Sequence, residues 1–168
     1  MLNKKFCMLG CHEAGYEIIK YLLENSIKID YFITLTPEEV VKYKISGYFD
    51  FKNLANKYKI PIYYPKSYSL KDNEDLNFFK KEKFDLLIQG GWQRLIPEEI
   101  LNTFSIGGIG GHGSANFLPF GRGRSPLNWS LIEGRKRFIK QLFIMKSGAD
   151  NGDIFDYEQF DINEFDDI

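Results

Sequence analysis

Short apolar segments alternate along this chain with segments of helical periodicity, and no other feature constrains the fold as strongly. The strand-like segments lie at 5–9, 29–34, 60–64, 84–89 and 106–111. The main helix-like segments between them lie at 14–23, 51–58, 70–81 and 97–104. Strands that alternate with helices at this spacing pair in parallel through right-handed crossovers. We therefore predict an α/β fold with an open, twisted, mainly parallel sheet, covered by helices on both faces because segment 84–89 is apolar on both sides.

Beyond this alternation the pattern is less regular. It predicts a helix at 126–132, a strand at 138–145 and an aspartate-rich turn at 148–154, and it leaves residues 40–50 unassigned. A helix begins near Thr36, whose hydroxyl can cap it, with a proline at the first helical position.

Length and charge exclude several classes of protein. The 168 residues fit one domain, predicted to run over 1–168, and the net charge of -1 offers no general basic field for a nucleic-acid backbone. No apolar run reaches the roughly 18 residues that a membrane helix needs. We expect a cytoplasmic protein without nucleic-acid or membrane partners. Cys7 and Cys11 are expected to be buried thiols, with no disulfide framework and no metal site.

The chemistry of the chain concentrates in residues 107–129, where one of only two histidines lies among five glycines. An imidazole titrates close to pH 6.5 when unperturbed, so His112 can exchange a proton near neutral pH. The glycines suggest close approach of the backbone to a ligand and positive φ angles. A flexible loop with an incidental histidine is the alternative explanation.

Two glycine-rich turns follow predicted strands, at 89–92 and 111–114. Ligands of open α/β sheets bind beyond the carboxyl ends of the strands, so the sequence predicts that both turns border one crevice. A third turn, at 10–15, lacks the spacing of a nucleotide-binding loop. Gly10 and His12 there are predicted either to line a substrate site at a helix amino terminus or to form an ordinary exposed turn.

Four motifs in order resemble the formyltransferase family. They are Gly-Gly-Trp-Gln-Arg-Leu-Ile-Pro, then His112-Gly113-Ser114, then Leu118-Pro119 with Arg122-Gly123-Arg124-Ser125-Pro126, and finally Asp150-Asn151-Gly152-Asp153-Ile154. The resemblance spans about residues 84–154 and weakens toward residue 1. It implies a Rossmann-like domain, 10-formyltetrahydrofolate as the formyl donor, and an active site made of asparagine, histidine and aspartate.

The active-site residues carry over only in part. His112 matches the family histidine and Asp150 the family aspartate, but the asparagine expected two residues before the histidine is Gly110. Formyl transfer to an amine develops negative charge on the formyl oxygen, which donors must stabilise. His112 can supply one donor, and Asp150 can hold an imidazolium or assist proton transfer through a water. Asn116 is a candidate substitute for the missing carboxamide. For both Asp150 and Asn116, a turn-forming role is the alternative.

The resemblance also implies binding residues. The backbone at Gly91, Trp92, Gln93, Arg94 and Leu95 would bracket the pterin ring, although Trp92 can instead belong to the core. A second group of candidates, for the substrate, consists of Gly10, His12, Arg122 and Arg124. The two arginines are predicted to hold an anionic group such as a phosphate or a glutamate tail, and a solvated loop face is the alternative.

The sequence therefore predicts formyl transfer to a small-molecule amine, preferably a nucleotide-linked amino sugar. A folate or nucleotide-sugar binding protein without turnover, and a formyltetrahydrofolate hydrolase, stay open as alternatives. Past Lys146 the chain has acidic residues and no basic one. Family members normally continue further, so a truncated chain, a degenerate paralogue and a compact branch of the family are three readings of this end.

Overall fold

The computed structural model describes residues 4–167, which contain seven strands and six helices. The strands are β1 (Phe6–Leu9), β2 (Tyr31–Ile33), β3 (Ile62–Tyr63), β4 (Leu86–Gln89), β5 (Gly107–Ser114), β6 (Arg137–Met145) and β7 (Gly152–Asp161). The helices are α1 (Glu13–Glu24), α2 (Pro37–Tyr43), α3 (Lys52–Tyr58), α4 (Asn73–Glu82), α5 (Glu98–Leu101) and α6 (Pro126–Ile132). The α/β class predicted from the sequence is confirmed.

The chain divides into two compact units, one up to Gly108 and one from Ile109 onward. In the first unit four strands lie in the order β3-β2-β1-β4, and all three pairings among them are parallel. In the second unit β5, β6 and β7 pair antiparallel. The predicted parallel pairing therefore holds for the first four strands, whereas the last three form an antiparallel arrangement.

The core of the first unit follows from the apolar faces of its elements. Met8 on β1, Ile19 on α1, Phe32 on β2 and Phe51 before α3 are fully buried in one apolar cluster. The helix that starts after Thr36 has the predicted cap: the Thr36 hydroxyl accepts from Glu39 N, and the Glu39 carboxylate accepts from Thr36 N. Cys7 and Cys11 are buried free thiols, as predicted.

The turn after β1 packs directly against the end of β4. A Cβ atom on Gly10 would lie 1.9 Å from the carbonyl oxygen of Gly90, and one on Gly15 would lie 2.2 Å from it. Only glycine permits this approach, because backbone atoms cannot move aside as a flexible side chain can. The backbone of the turn at 10–15 therefore packs directly on the backbone at the end of β4.

Asp75 on α4 is a fully buried carboxylate that fixes the segment before this helix. It accepts hydrogen bonds from the Tyr63 hydroxyl at 2.8 Å, Lys66 N at 2.7 Å and Ser67 N at 3.2 Å. Three donors satisfy a charge that would be costly to bury alone.

Replacing Asp75 by alanine is expected to lower the free energy of unfolding by about 3 kcal/mol, because three donors lose one buried acceptor. Urea denaturation measures the change. Asp72→Ala on the same helix is the matched control, since it removes an exposed cap and should cost about 1 kcal/mol. Equal losses in the two variants would contradict the role of Asp75.

Asp85, just before β4, carries the pH dependence that the structure predicts most directly. Hydrogen bonds from the Ser105 hydroxyl, Lys5 N and the Lys4 ammonium lower the pKa of Asp85 from 3.8 to about 2. A carboxylate with a lowered pKa in the folded state stabilises it at pH above 3.8, and this contribution disappears as the pH falls through 2. In Asp85→Asn the loss of stability between pH 4 and 2 should be shallower than in the wild type, as acid titration of unfolding will show. Parallel curves for the two proteins would exclude this contribution.

The second unit differs from the sequence-based prediction in two places. Strand β5 continues through His112 to Ser114, although the segment after residue 111 was expected to be a turn. Strand β7 was not predicted, because residues 148–154 were expected to form only a turn. The turn is present at 148–151, and the strand after it pairs antiparallel with β6, in a register that places Arg137 opposite Asp161 and Lys140 opposite Glu158.

Candidate functional site

His112 lies near the end of β5 with both ring nitrogens facing oxygen atoms. Its Nε2 lies 2.7 Å from the carbonyl oxygen of Gly121, and its Nδ1 lies 3.5 Å from Oδ1 of Asp150. A carbonyl can only accept, so Nε2 must carry the proton. The ring is buried, whereas the Asp150 side chain keeps about a quarter of its surface exposed. A neutral ring can donate at only one nitrogen, whereas an imidazolium can donate to both oxygens.

Asp150, the partner of His112, lies in a strained turn between β6 and β7. Its backbone is left-handed, with φ 45°, a conformation that Asp tolerates better than most residues but still at a cost. Its second carboxylate oxygen accepts from Gly123 N at 2.9 Å. The next residue, Asn151, accepts from Arg122 at 2.9 Å and donates to Ser147 O. The loop at 121–123 is thus attached at three consecutive residues to His112 and to the Asp150 turn.

Gly110 occupies the position of the family asparagine, and side chains of β6 fill the space that an asparagine side chain would need. A Cβ atom there would lie 2.9 Å from Cζ of Phe143 and 3.0 Å from Cγ of Met145. On the other face of β5, a Cβ on Gly113 would lie 2.4 Å from Cζ of Phe138. These two glycines therefore make room for aromatic rings of β6. The expectation of positive φ angles is wrong for the other glycines of β5, because only Gly107 has one, whereas the approach of this backbone to a ligand stays a prediction.

Asn116 has a fixed backbone and an unused side chain. Its carbonyl accepts from the Gln141 amide at 3.0 Å and from the Ser114 hydroxyl, and its N donates to the Ser114 hydroxyl at 3.2 Å. Gln141, fully buried opposite His112 on β6, also accepts from Leu118 N at 2.9 Å. Within residues 4–167 the Asn116 carboxamide makes no hydrogen bond.

A cavity of about 190 Å³ lies beside this segment, within the second unit. Its lining includes Asn116, Gly121, Arg122, Arg124, Trp129 and Glu133. The two predicted anion-binding arginines differ in their contacts. Arg122 donates a hydrogen bond to Asn151, whereas Arg124 has no hydrogen-bond or ion-pair partner in the described part of the chain. Neither His112 nor Asp150 lines the cavity, but Gly121 connects it to the histidine through its carbonyl.

In the first unit, His12 is the N-cap of α1. Its Nδ1 accepts weakly from Ala14 N at 3.4 Å, and the ring packs closely on Gly47. A Cβ on Gly91 would lie 2.2 Å from Cβ of His12, so two predicted site residues are in contact. A substrate role for Gly10 and His12 stays a prediction.

Residues 93–95 form an exposed segment that follows the buried Trp92 and is anchored by aromatic side chains. Trp92 is buried, and its indole N–H has no hydrogen-bond partner within residues 4–167. Its ring packs edge-on against Tyr68, whose hydroxyl accepts from Gln93 N at 3.2 Å and whose ring lies under the Arg94 guanidinium. The Leu95 side chain is 62% exposed.

Sequence reasoning missed three residues that organise these segments: Tyr68, Phe143 and Gln141. Gln141 had a detectable signal, because it is a polar residue at an inward position of an alternating strand. Tyr68 and Phe143 had none, because their contacts join residues distant in sequence.

No group of three or more His, Cys, Asp or Glu side chains suited to a metal ion occurs among residues 4–167. The same residues include no helix with the length and apolar character needed to cross a membrane.

Solved structures of similar fold include formyltransferases and formyltetrahydrofolate deformylases. Phosphoribosylglycinamide formyltransferase from Bacillus halodurans superimposes with a TM-score of 0.74 at 18% identity, over 98% of this chain and 83% of that one. A formyltetrahydrofolate deformylase from Pseudomonas syringae pv. tomato gives a TM-score of 0.74 at 13% identity, over 98% and 53% of the two chains. At these identities the likeness concerns the fold.

Sequence comparison is more specific. A family model described as formyl transferase matches residues 17–168. The bifunctional polymyxin resistance protein ArnA of Wigglesworthia glossinidia brevipalpis is 31% identical over 96% of this chain and 24% of its own length. Methionyl-tRNA formyltransferase of Clostridium botulinum (strain Alaska E43 / Type E3) is 34% identical over 95% of this chain and 50% of its own. The chain thus spans half or less of these relatives, and by the match to residues 17–168 it belongs to the formyl transferase family.

Proposed function

We propose that this chain transfers a formyl group from 10-formyltetrahydrofolate to a small-molecule amine, preferably the amine of a nucleotide-linked sugar. The observation that carries the proposal is the pairing of His112 with Asp150, in a family defined by formyl transfer. The proposal also includes a cytoplasmic location and no nucleic-acid or metal partner.

The residues predicted to hold the folate suit a pterin. The main-chain groups of Arg94 and Leu95 have no hydrogen-bond partner within residues 4–167, and the Leu95 side chain is exposed beside them. Unpaired N–H and C=O groups next to an apolar side chain suit a flat heterocycle with donors and acceptors on its edge. In contrast, Gln93 N and Trp92 O are bonded to Tyr68 and Gln89. Arg94 and Leu95 would therefore provide the main-chain contacts.

When bound, 10-formyltetrahydrofolate supplies the formyl carbon: the amine nitrogen bonds to it, its bond to N10 breaks, and one proton passes from the amine to N10. His112 carries a proton at Nε2 that it can present to developing negative charge once the bond to Gly121 O opens. Asp150, 3.5 Å from Nδ1, orients the ring and stabilises its positive charge. Its partial exposure leaves access for a water that relays the amine proton.

A binding protein without turnover is the second candidate, and one observation favours it. Gly110 removes a carboxamide donor, and the ring of Phe143 occupies its place. Losing one such donor typically slows a reaction about a hundredfold or more.

Loss of 10-formyltetrahydrofolate, followed with and without acceptors, tests the proposal. Amino sugars linked to nucleoside diphosphates should accelerate the loss and yield formamides, whereas methionyl-tRNA should not. Release of formate without any acceptor would indicate a hydrolase instead. Binding of the folate with no loss under any condition would favour the binding protein.

A further inference from the structure

One buried tyrosine, Tyr68, contacts three consecutive residues at the start of the segment proposed to hold the pterin. Tyr68 is only 2% exposed, although it lies in the loop between β3 and α4. Its ring packs edge-on against Trp92, with ring centroids 4.8 Å apart, and its centroid lies 4.8 Å from the Arg94 guanidinium. Its hydroxyl accepts from Gln93 N at 3.2 Å. A single side chain therefore contacts both the side chains and the main chain of this stretch.

The segment at 93–95 has few other attachments. All three of its residues are exposed. Just before it, the Gln89 side chain donates to Trp92 O at 2.9 Å, whereas the Trp92 indole N–H has no hydrogen-bond partner within residues 4–167. An exposed segment held at few points samples several conformations, and a ligand that binds one of them must order the segment first. The contacts of Tyr68 therefore set much of the order of this segment.

Tyr68 is itself held in place, as a positioning residue must be. It occupies the second position of a turn in which Leu70 N donates to Ser67 O at 2.9 Å. Its ring centroid also lies 5.2 Å from that of Tyr43 on α2. A side chain that is buried and packed in this way has a defined position before any ligand binds.

The hydroxyl group distinguishes this role from simple core packing. A ring that only filled the core could be phenylalanine, since packing on Trp92 and a cation–π contact with Arg94 need no oxygen. The Tyr68 oxygen instead accepts from a main-chain N–H of the exposed segment. Within residues 4–167, none of the hydrogen bonds and ring contacts of Tyr68 involves His112 or Asp150. Its effect should therefore fall on binding and leave the chemical step unchanged.

We propose that Tyr68 is a positioning residue for the folate: it holds Gln93 and Arg94 in one conformation, so that the main-chain groups of Arg94 and Leu95 are ordered before the pterin binds. The inference rests on the proposed function, because it takes these main-chain groups as the contacts of the pterin. Preorganisation of this kind raises affinity by removing the entropic cost of ordering a loop on binding. It requires no contact between Tyr68 and the ligand.

The affinity of the whole protein for 5-formyltetrahydrofolate, a stable isomer of the proposed donor, tests the inference. Tyr68→Phe removes the hydrogen bond to Gln93 N and keeps the ring. It should weaken binding about fivefold and raise KM for 10-formyltetrahydrofolate by the same factor with kcat unchanged, which is the usual effect of one neutral hydrogen bond. The main-chain amides of residues 93–95 should exchange with deuterium faster. Tyr68→Leu, which also removes the ring, should weaken binding about tenfold more.

Tyr63→Phe is the matched control. It removes a hydroxyl that donates to the Asp75 carboxylate at 2.8 Å, from a tyrosine that makes no hydrogen bond or ring contact with residues 92–95 in the described chain. It should lower the melting temperature at least as much as Tyr68→Phe, because hydrogen bonds to charged groups contribute more. Folate affinity and amide exchange at 93–95 should stay at wild-type values. An equal loss of affinity in the two variants, or a fall in kcat for Tyr68→Phe at unchanged KM, would overturn the inference.

The wild-type protein separates a failure of the inference from a failure of the proposed function. If the wild type does not bind 5-formyltetrahydrofolate at millimolar concentration, the folate assignment is wrong and the inference falls with it. If Tyr68→Phe binds the folate as tightly as the wild type, only the role of Tyr68 is wrong. If binding depends on Tyr68 but no acceptor is formylated, the role of Tyr68 stands and the proposed transfer is wrong.

Discussion

Replacing His112 by alanine is expected to slow formyl transfer by about a thousandfold, since a positioned proton donor typically contributes between a hundred- and ten-thousandfold. The affinity for a folate analogue should change little, because the imidazole acts on the transition state and not on the bound donor. The measurement is kcat for acceptor-dependent loss of 10-formyltetrahydrofolate, with analogue binding followed separately.

The alanine variant also removes the hydrogen bond to Gly121 O, so a second variant is needed to separate structure from chemistry. His112→Gln keeps an N–H that can reach Gly121 O but offers no group that exchanges a proton near neutral pH. It should melt like the wild type and still be slow. Asp150→Asn retains an acceptor for Gly123 N but loses the charge beside Nδ1, and should be slowed as well. A His112→Gln protein within about twofold of the wild-type rate would refute the catalytic role.

Gly110→Asn restores the family carboxamide, but we expect this substitution by itself to destabilise the protein. Its Cβ would lie 2.9 Å from Cζ of Phe143, a ring that is buried and cannot swing into solvent. We expect the variant to be destabilised by about 1 to 3 kcal/mol, the usual cost of overpacking a core.

Combining Gly110→Asn with Phe143→Val opens the space. The double variant should transfer formyl groups about a hundredfold faster than Phe143→Val alone, which is the value of one donor to the developing oxyanion. Because the two residues face each other across β5 and β6, their effects on stability should be strongly non-additive. A double variant no faster than Phe143→Val would show that no donor is missing at this position.

The first unit was predictable because its signals are local. Apolar periodicity located β1, β2, β4 and the helices between them, and the Thr36 cap was readable from four residues. The pairing of β5 with β6 was not, because a glycine-rich segment has no apolar pattern. The rings of Phe138 and Phe143 supply the packing that the glycines lack, and this contact is visible only once the strands have paired.

The residues of the candidate site could be predicted from the sequence, but the contacts among them could not. Motif order gave His112 and Asp150, which the structure places within 3.5 Å of each other. Arg122 differs from Arg124 because it donates a hydrogen bond to Asn151, which lies 29 residues away in sequence. No local pattern could have distinguished two arginines that are separated by a single residue.

Strand β7 is the last in the strand order, so one side of its ten residues has no strand partner within residues 4–167. Three of its aromatic side chains are substantially exposed: Phe155, Tyr157 and Phe160. An edge of this kind is a template for sheet growth between molecules. Four acidic residues stand along it: Asp153, Asp156, Glu158 and Asp161. Like charges on two such edges repel each other, and high ionic strength screens this repulsion, so added salt should favour aggregation through β7.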